Sequence, residues 1–335
     1  MPPGSSVTRA VVCEEYGPPE SLVIGHLPSE ELGPDDIRIR VRAASVNFPD
    51  TLIIQGKYQV KPTTPFAPGF EVAGEAVEVG EKVTEFAVGD RLMALTRSGY
   101  GGFAEEALTN TVKAAEIPHG MDYVTATAFY SAYGTSYHAL VQRGGLSEGE
   151  TLLVLGASGG VGLAAVEIGK ALGARVLAAA STAEKLEIAR QHGADELIDY
   201  SRADLKAQVT DLTAGLGVDV CFDGVGGDAF DAASRSMAYK GRLLVVGFAS
   251  GRIPLLPANL PLLKGYQVCG VWWDNFVTRE PGVNRANLEH LGELFRLGAL
   301  RPLVSRTFPL VEAVSALNAV LGRGVIGKLV LTVGP

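Results

Sequence analysis

Between Ile37 and Val41 the chain alternates apolar and polar residues one for one within "DDIRIRVRAAS", the period of a half-buried strand. Short apolar runs in "GEAVEVG" and "GDRLMAL", broken by Gly and Pro turns, carry this β-rich texture to about residue 125. From about Ala126 the spacing becomes helical in "TATAFYSAYGTSYHALVQRG", and strands then alternate with helices. Largely apolar strands are predicted at Thr151–Leu155, Arg175–Ala180, Glu196–Ile198, Val218–Phe222, Leu243–Val246 and Gln267–Val271. Continuously apolar strands belong to a parallel sheet covered on both faces. Six of them, joined by segments such as "AEKLEIARQHG" with its glycine stop, predict a doubly wound dinucleotide-type domain. "RANLEHLGELFRLGAL" then predicts an amphipathic helix, and "KLVLTV" a final strand. The fold class is α/β in two domains: a β-rich domain of residues 1–125 plus 273–335, and a nucleotide-binding domain of residues 126–272.

Composition narrows the function classes. The 335 residues suffice for two cores, and 47% hydrophobic with 20% charged residues is ordinary for a globular protein. A net charge of −8 without any run of Lys and Arg argues against a nucleic-acid partner. No apolar run reaches the roughly 18 residues of a membrane span, and "MPPGSSVTRAVV" lacks a basic segment followed by an apolar one, so a cytoplasmic location is expected. Cys13, Cys221 and Cys269 are expected to be reduced thiols.

The densest chemical signal is "GASGGVG", which closes the Thr151–Leu155 strand and opens a helix. Gly156 permits a tight turn, Gly159 lets backbone amides approach a pyrophosphate, and Gly162 allows close helix–strand packing. Ser158, Gly160 and Val161 complete the turn, whose helix N-terminus presents unpaired N–H groups and partial positive charge. The middle glycine is displaced by one from the usual spacing, and the alternative is a sharp turn packed on a neighbour; the flanking strand and helix favour a dinucleotide. An NAD site places Asp or Glu at the next strand end. Here Ala180 and Ser181 stand there, followed by Lys185, and no carboxylate repels a 2′-phosphate, which points to NADPH. "STAE" also reads as a capping box, with Ser181 as N-cap and Glu184 reaching back.

Several segments together resemble the medium-chain dehydrogenase/reductase superfamily, and within it the zinc-free quinone oxidoreductases, the zeta-crystallin-like branch. They are "ASVNFPDTLIIQGKY", "APGFEVAGEAVEVGEKVTEFAVGDRL", "GGFAEE", "GASGGVGLAAVEIGKALGARV", "GADELIDY", "VDVCFDGVGG", "GRLLVVG" and "GRGVIGKLVL", and the resemblance covers essentially the whole chain. It implies a GroES-like β-rich catalytic domain built from both chain ends, with a Rossmann domain inserted. It also implies Thr135 near the nicotinamide or its phosphate. Tyr200 and Arg323 would help Lys185 hold the 2′-phosphate, with Val225 and Phe248 beside the dinucleotide. In the zinc alcohol dehydrogenases of this superfamily a Cys-His pair stands where this chain has Asn47-Phe48, and Gly-His-Glu where it has Gly69-Phe70-Glu71. The five histidines are scattered without ligand spacing, so no metal is expected.

Without a Lewis acid, the acceptor must be an electrophile in its own right, as quinones and other α,β-unsaturated carbonyls are. The candidates for orienting it are Asn47, Asp50 and Tyr58. In related zinc-free enoyl reductases a tyrosine of a "QG-x-Y" segment donates a proton, and "QGKY" puts Tyr58 there; otherwise Tyr58 is a loop wall. Asp50 is also placed to cap the helix after Pro49, and Asn47 to hold a substrate oxygen or a ribose hydroxyl. Trp272 and Trp273 are either walls for nicotinamide and substrate or a packed seam. The leading reading is an NADPH-dependent quinone or enone reductase. The alternatives are a 2-enoyl-thioester reductase of the acyl-CoA type and a catalytically idle NADPH-binding or structural relative. Finally, "YQVCGVWW" is a long apolar edge strand in the expected order, which predicts a homodimer that covers it.

Overall fold

The computed structural model describes residues 7–322 and 324–334. Contacts divide the chain into a first unit, running to Ser131 and resumed at Val277–Leu288 and from Pro302, and a second, Ala132–Phe276 with Glu289–Arg301. Against the boundaries read from the sequence, residues 126–131 group with the first unit, and residues 273–276 and 289–301 with the second.

In the first unit β1 (Val7–Val12) and β2 (Val23–Pro28) form an antiparallel pair. The larger sheet starts with β3 (Asp36–Val46), the strand with the alternating pattern, followed by a short helix α1 (Phe48–Ile53). β4 (Glu71–Val79), β5 (Arg91–Leu95), β6 (Glu106–Asn110) and β7 (Ala114–Glu116) complete its N-terminal part. Helix α2 (Tyr123–Tyr137) then leads into the second unit and continues as a π-helical stretch, His138–Arg143.

The second unit alternates strand and helix: β8 (Thr151–Leu155), α3 (Gly160–Ala171), β9 (Arg175–Ala180), α4 (Ala183–Gln191), β10 (Glu196–Asp199), α5 (Leu205–Leu212), β11 (Val218–Asp223), α6 (Gly227–Ala233), β12 (Met237–Val245), α7 (Asn259–Lys264) and β13 (Gln267–Gly270). Every pairing is parallel, in the order β10-β9-β8-β11-β12-β13. This is the doubly wound arrangement, and order reverses between β8 and β11, where such sheets bind ligands at their carboxyl ends. β12 begins six residues earlier than expected. The pairing register with β11 shifts there: Val218 pairs with Met237 and Val220 with Arg242, and Lys240 takes φ 63° between them. Helices α8 (Trp273–Arg279) and α9 (Pro281–Arg296) follow. Glu167 of α3 is 2% exposed; it accepts bonds from the Tyr133 hydroxyl of α2 at 2.6 Å and the Arg301 amide at 3.0 Å, and pairs with His192. Burial first, then the Glu167 charge, drives the Tyr133 hydroxyl well above its ordinary pKa.

Beyond α9 the chain returns to the first unit through β14 (Val304–Pro309), α10 (Ala313–Leu321) and β15 (Lys328–Thr332). The sheet order there is β14-β15-β3-β4-β5-β7, with β6 also on β3. Leu329 of β15 faces Val46 of β3 in antiparallel register, which brings the two chain ends of the unit together. Its core includes Ile37, Ile39, Ile53, Phe66, Phe103 and Leu331. Among the described residues no helix is long and apolar enough to cross a membrane.

Candidate cofactor and substrate sites

In the second unit the glycine turn is stereochemically forced. Gly156 takes φ +68°, and a Cβ there would lie 2.8 Å from the Val225 side chain. At Gly162 a Cβ would sit 2.2 Å from the Gly156 carbonyl oxygen, so α3 packs directly on the end of β8. Gly159 caps α3, and its added Cβ would meet only the Gly156 carbonyl at 3.5 Å. No acidic residue occupies the first turn, which opens at Gly160 and leaves its amides suited to an anion. Ser158 is buried, and the Val161 carbonyl accepts the Ser136 hydroxyl at 2.7 Å, tying α3 to α2 beside the half-buried Thr135.

At the end of β9, Ala180 is buried and Ser181 is hydrogen-bonded to Tyr200, whose hydroxyl pKa burial raises. The cap of α4 is Thr182, not Ser181: its backbone is extended and its hydroxyl accepts the Lys185 amide at 3.3 Å. The cap thus falls one residue later than the expected "STAE" box, which puts Lys185 rather than Glu184 at the third helical position, because the Ser181 hydroxyl is bonded to Tyr200. Lys185 is half-buried in the first turn of α4. Asp199, opposite Ala180 across the β9–β10 pair, is engaged by Ser201 and Arg202. Arg323 lies outside the described residues.

Asp223, which the sequence reading passed over, ends β11 next to the glycine turn. One oxygen accepts the Val225 and Gly226 amides at 2.8 and 2.9 Å; the other is buried without a partner among the described residues. Burial raises its pKa. Phe248 packs on this turn, 3.0 Å from where a Gly226 Cβ would be. Trp273 is 4% exposed and fills the space over Gly134, where a Cβ would come within 2.3 Å of its ring; Trp272 is 64% exposed.

In the first unit, the residues flanking α1 form a buried polar cluster. Asn47 caps α1, and its backbone N–H donates to Asp50 Oδ2 at 2.8 Å, so Asp50 has the capping geometry expected of it. The helix begins at Phe48, with Pro49 inside its first turn. Asp50 is fully buried, and burial pushes its pKa up to about 7 against the Asn47 amide and the Lys328 charge. The Asn47 side-chain N–H₂ donates to the Ser45 carbonyl at 3.3 Å and to Glu71 Oε2 at 3.2 Å, while its Oδ1 accepts from Lys328. Lys328 also reaches Glu71 Oε2 at 3.3 Å, and Glu71 Oε1 accepts the Ser131 amide at 2.7 Å. Both Asn47 amide protons are thus used internally, which leaves none for a substrate oxygen. Tyr58 is half-buried against the core of this unit. Glu71 and Lys328 were present in the quoted segments but unassigned, since nothing local in the sequence says that they meet.

Among the described residues no group of three His, Cys, Asp or Glu side chains could hold a metal ion. Position 47 offers an amide, position 70 a phenyl ring, and the nearby cationic group is an ammonium, a set that does not fit zinc.

Residues 33–119 match the family described as "Alcohol dehydrogenase GroES-like domain", and residues 160–286 match "Zinc-binding dehydrogenase". Quinone oxidoreductase-like protein 2 homolog of Nematostella vectensis is 39% identical over 98% of this chain and 90% of its own length. Quinone oxidoreductase of Pseudomonas aeruginosa is 36% identical over 94% of this chain and 97% of its own. Among solved structures, a Pseudomonas syringae quinone oxidoreductase superposes with a TM-score of 0.90 at 28% identity, covering 97% of this chain and 99% of that one. A mycobacterial structure complexed with NADPH gives 0.90 at 30% identity, with the same coverage. With the GroES-like and Rossmann-type sheets both in place, the chain belongs to the quinone oxidoreductase family of the medium-chain dehydrogenase/reductase superfamily, as an oxidoreductase built for a nicotinamide cofactor.

Proposed function

We propose that the chain reduces quinones and other α,β-unsaturated carbonyls with NADPH, without a metal ion, and does so as a homodimer. The donor set around Asn47 carries the reading: an amide, a phenyl ring and an ammonium cannot supply a Lewis acid to a carbonyl. The acceptors that suit such a site delocalise the negative charge that hydride addition leaves. When bound, NADPH supplies the hydride. The turn from Gly156 to Gly162 holds the pyrophosphate, and Thr135, Val225 and Phe248 flank the dinucleotide. Ser181, Tyr200 and Lys185 hold the 2′-phosphate, supported by the lack of a carboxylate at the end of β9 and by the NADPH complex of the mycobacterial relative. Tyr58 hydrogen-bonds or protonates the anion formed on the acceptor, and Asn47 with Asp50 fixes the start of α1.

The edge strand β13 supports the homodimer. Val268 on it, Trp272 just after it and Leu262 and Leu263 on α7 just before it are exposed, a surface that a second copy covers by strand pairing. NADPH oxidation is to be followed with phenanthrenequinone, with crotonyl-CoA and with no acceptor. The expected order is quinone fastest, the thioester slow and no consumption without acceptor. A preference for crotonyl-CoA would replace this reading by an enoyl-thioester reductase, and inertness toward both acceptors would reject it.

A further inference from the structure

Beside residue 47, within the part that matches the alcohol dehydrogenase GroES-like domain, this chain places a cation of its own. We infer that the Lys328 ammonium, held by Asn47 and Glu71, is the positive group that stabilises the oxyanion formed on the acceptor when hydride is added. The inference rests on the reductase reading above and names a residue of that same site.

Three observations lead to it. First, the ammonium has three N–H groups, of which one donates to Asn47 Oδ1 and one to Glu71 Oε2; no third acceptor is within reach among the described residues. Second, the other groups of the cluster do not offer a positive charge. Both Asn47 amide protons are engaged, Glu71 accepts from Ser131 as well, and Asp50 Oδ1 and Ser45 Oγ, buried without a partner among the described residues, belong to a carboxyl and a neutral hydroxyl. Lys328 is therefore the cationic donor in this cluster with capacity left. Third, the arrangement is poorly explained by stability. Glu71 is 0% and the Lys328 side chain 9% exposed, and a buried ion pair is generally no more stabilising than apolar residues of similar volume. A charge fixed by two bonds in a desolvated site is, in contrast, the arrangement that stabilises developing negative charge without reorganisation. Asn47 and Glu71 then serve to position the ammonium.

No bond is made or broken at Lys328. The acceptor carbon gains the hydride, the electron pair of its π system moves to oxygen, and the ammonium hydrogen-bonds that oxygen until a proton arrives.

The test uses the whole protein with Lys328→Met, Lys328→Arg and the double variant Lys328→Met with Glu71→Gln, which leaves no unpaired buried charge if the single change fails to fold. Para-nitrophenol, whose colour reports its own ionisation, probes the charge without turnover. The wild type should bind the phenolate in preference to the phenol. Losing the ammonium should weaken phenolate binding by about tenfold or more, and Lys328→Arg should restore most of it. Single-turnover reduction of an enone should fall by a similar factor, and that of a quinone by less. A wild type that does not favour the phenolate, or folded ammonium-free variants that bind it equally well, would overturn the role of Lys328. If the wild type reduces neither acceptor, the reductase reading fails, whatever the phenolate result.

Discussion

Substituting alanine at two glycines of the β8–α3 turn separates packing from ligand approach. At Gly162 the new Cβ would stand 2.2 Å from the Gly156 carbonyl oxygen, 2.9 Å from its carbon and 3.1 Å from the Ala157 Cα. These are backbone atoms with no rotamer to yield, so α3 must slide off the end of β8. Overpacking of this kind costs about 3 kcal/mol at the upper end of its usual range. Alanine returns roughly 1 kcal/mol of helix propensity. The net loss of about 2 kcal/mol lowers the melting temperature by roughly 4–8 °C for a unit of this size. At Gly159 the added Cβ meets one atom at 3.5 Å, and φ is −78°, which alanine adopts freely. Gly159→Ala should therefore melt within about 2 °C of wild type. Its nicotinamide cofactor affinity should nevertheless fall by at least about tenfold, because the methyl group stands where the backbone must approach a pyrophosphate. Calorimetry gives the melting temperatures, and fluorescence titration with NADPH gives the affinities. If Gly162→Ala melts like wild type, the packing argument is wrong. Undiminished affinity in Gly159→Ala would show that the turn is only a turn.

Lys185→Ala should weaken NADPH by at least roughly tenfold and leave NADH nearly unchanged, since one charge-assisted bond contributes about 1.5–3 kcal/mol; equal losses in parallel titrations would remove the 2′-phosphate assignment. Tyr58→Phe should slow single-turnover reduction of an enone by about 10²-fold or more, and of a reactive quinone less, with NADPH affinity retained; wild-type rates with both acceptors would make Tyr58 a wall. The Asp50 pKa is raised from 3.8 to about 7, so the folded state holds the extra proton and wild-type stability falls as pH rises between about 4 and 7. Asp50→Asn removes that slope, and its melting temperature relative to wild type should be higher at pH 8 than at pH 5; a constant difference would refute the shift. Sedimentation should give a dimer at micromolar concentration and a monomer for Val268→Lys on the edge of β13; a monomeric wild type would refute the pairing.

The sequence by itself determined the second unit nearly in full. Its central strands are buried on both faces and read as nearly continuous apolar runs, so β8 and β9 lie at the positions the pattern predicts, Thr151–Leu155 and Arg175–Ala180. Local stereochemistry likewise marked Gly156 and Gly162, because a tight turn and a close helix leave no room for a side chain. Where two local signals competed, the sequence was ambiguous. Ser181 and Thr182 are both good caps, and only the Tyr200 hydroxyl, brought over by β10, decides which residue turns to the helix. The strand predicted at Leu243–Val246 begins at Met237 because β11 pairs on both sides of the irregularity at Lys240. The polar cluster of the first unit was beyond reach of any local pattern. Lys328 lies 281 residues from Asn47 and 257 from Glu71 along the chain. They meet because β15 runs antiparallel to β3 with Leu329 opposite Val46, which puts the residue before one beside the residue after the other. Sequence shows which residues are apolar and where the chain turns; which charges share a buried space is set by strand register, and register exists only once the sheet has formed.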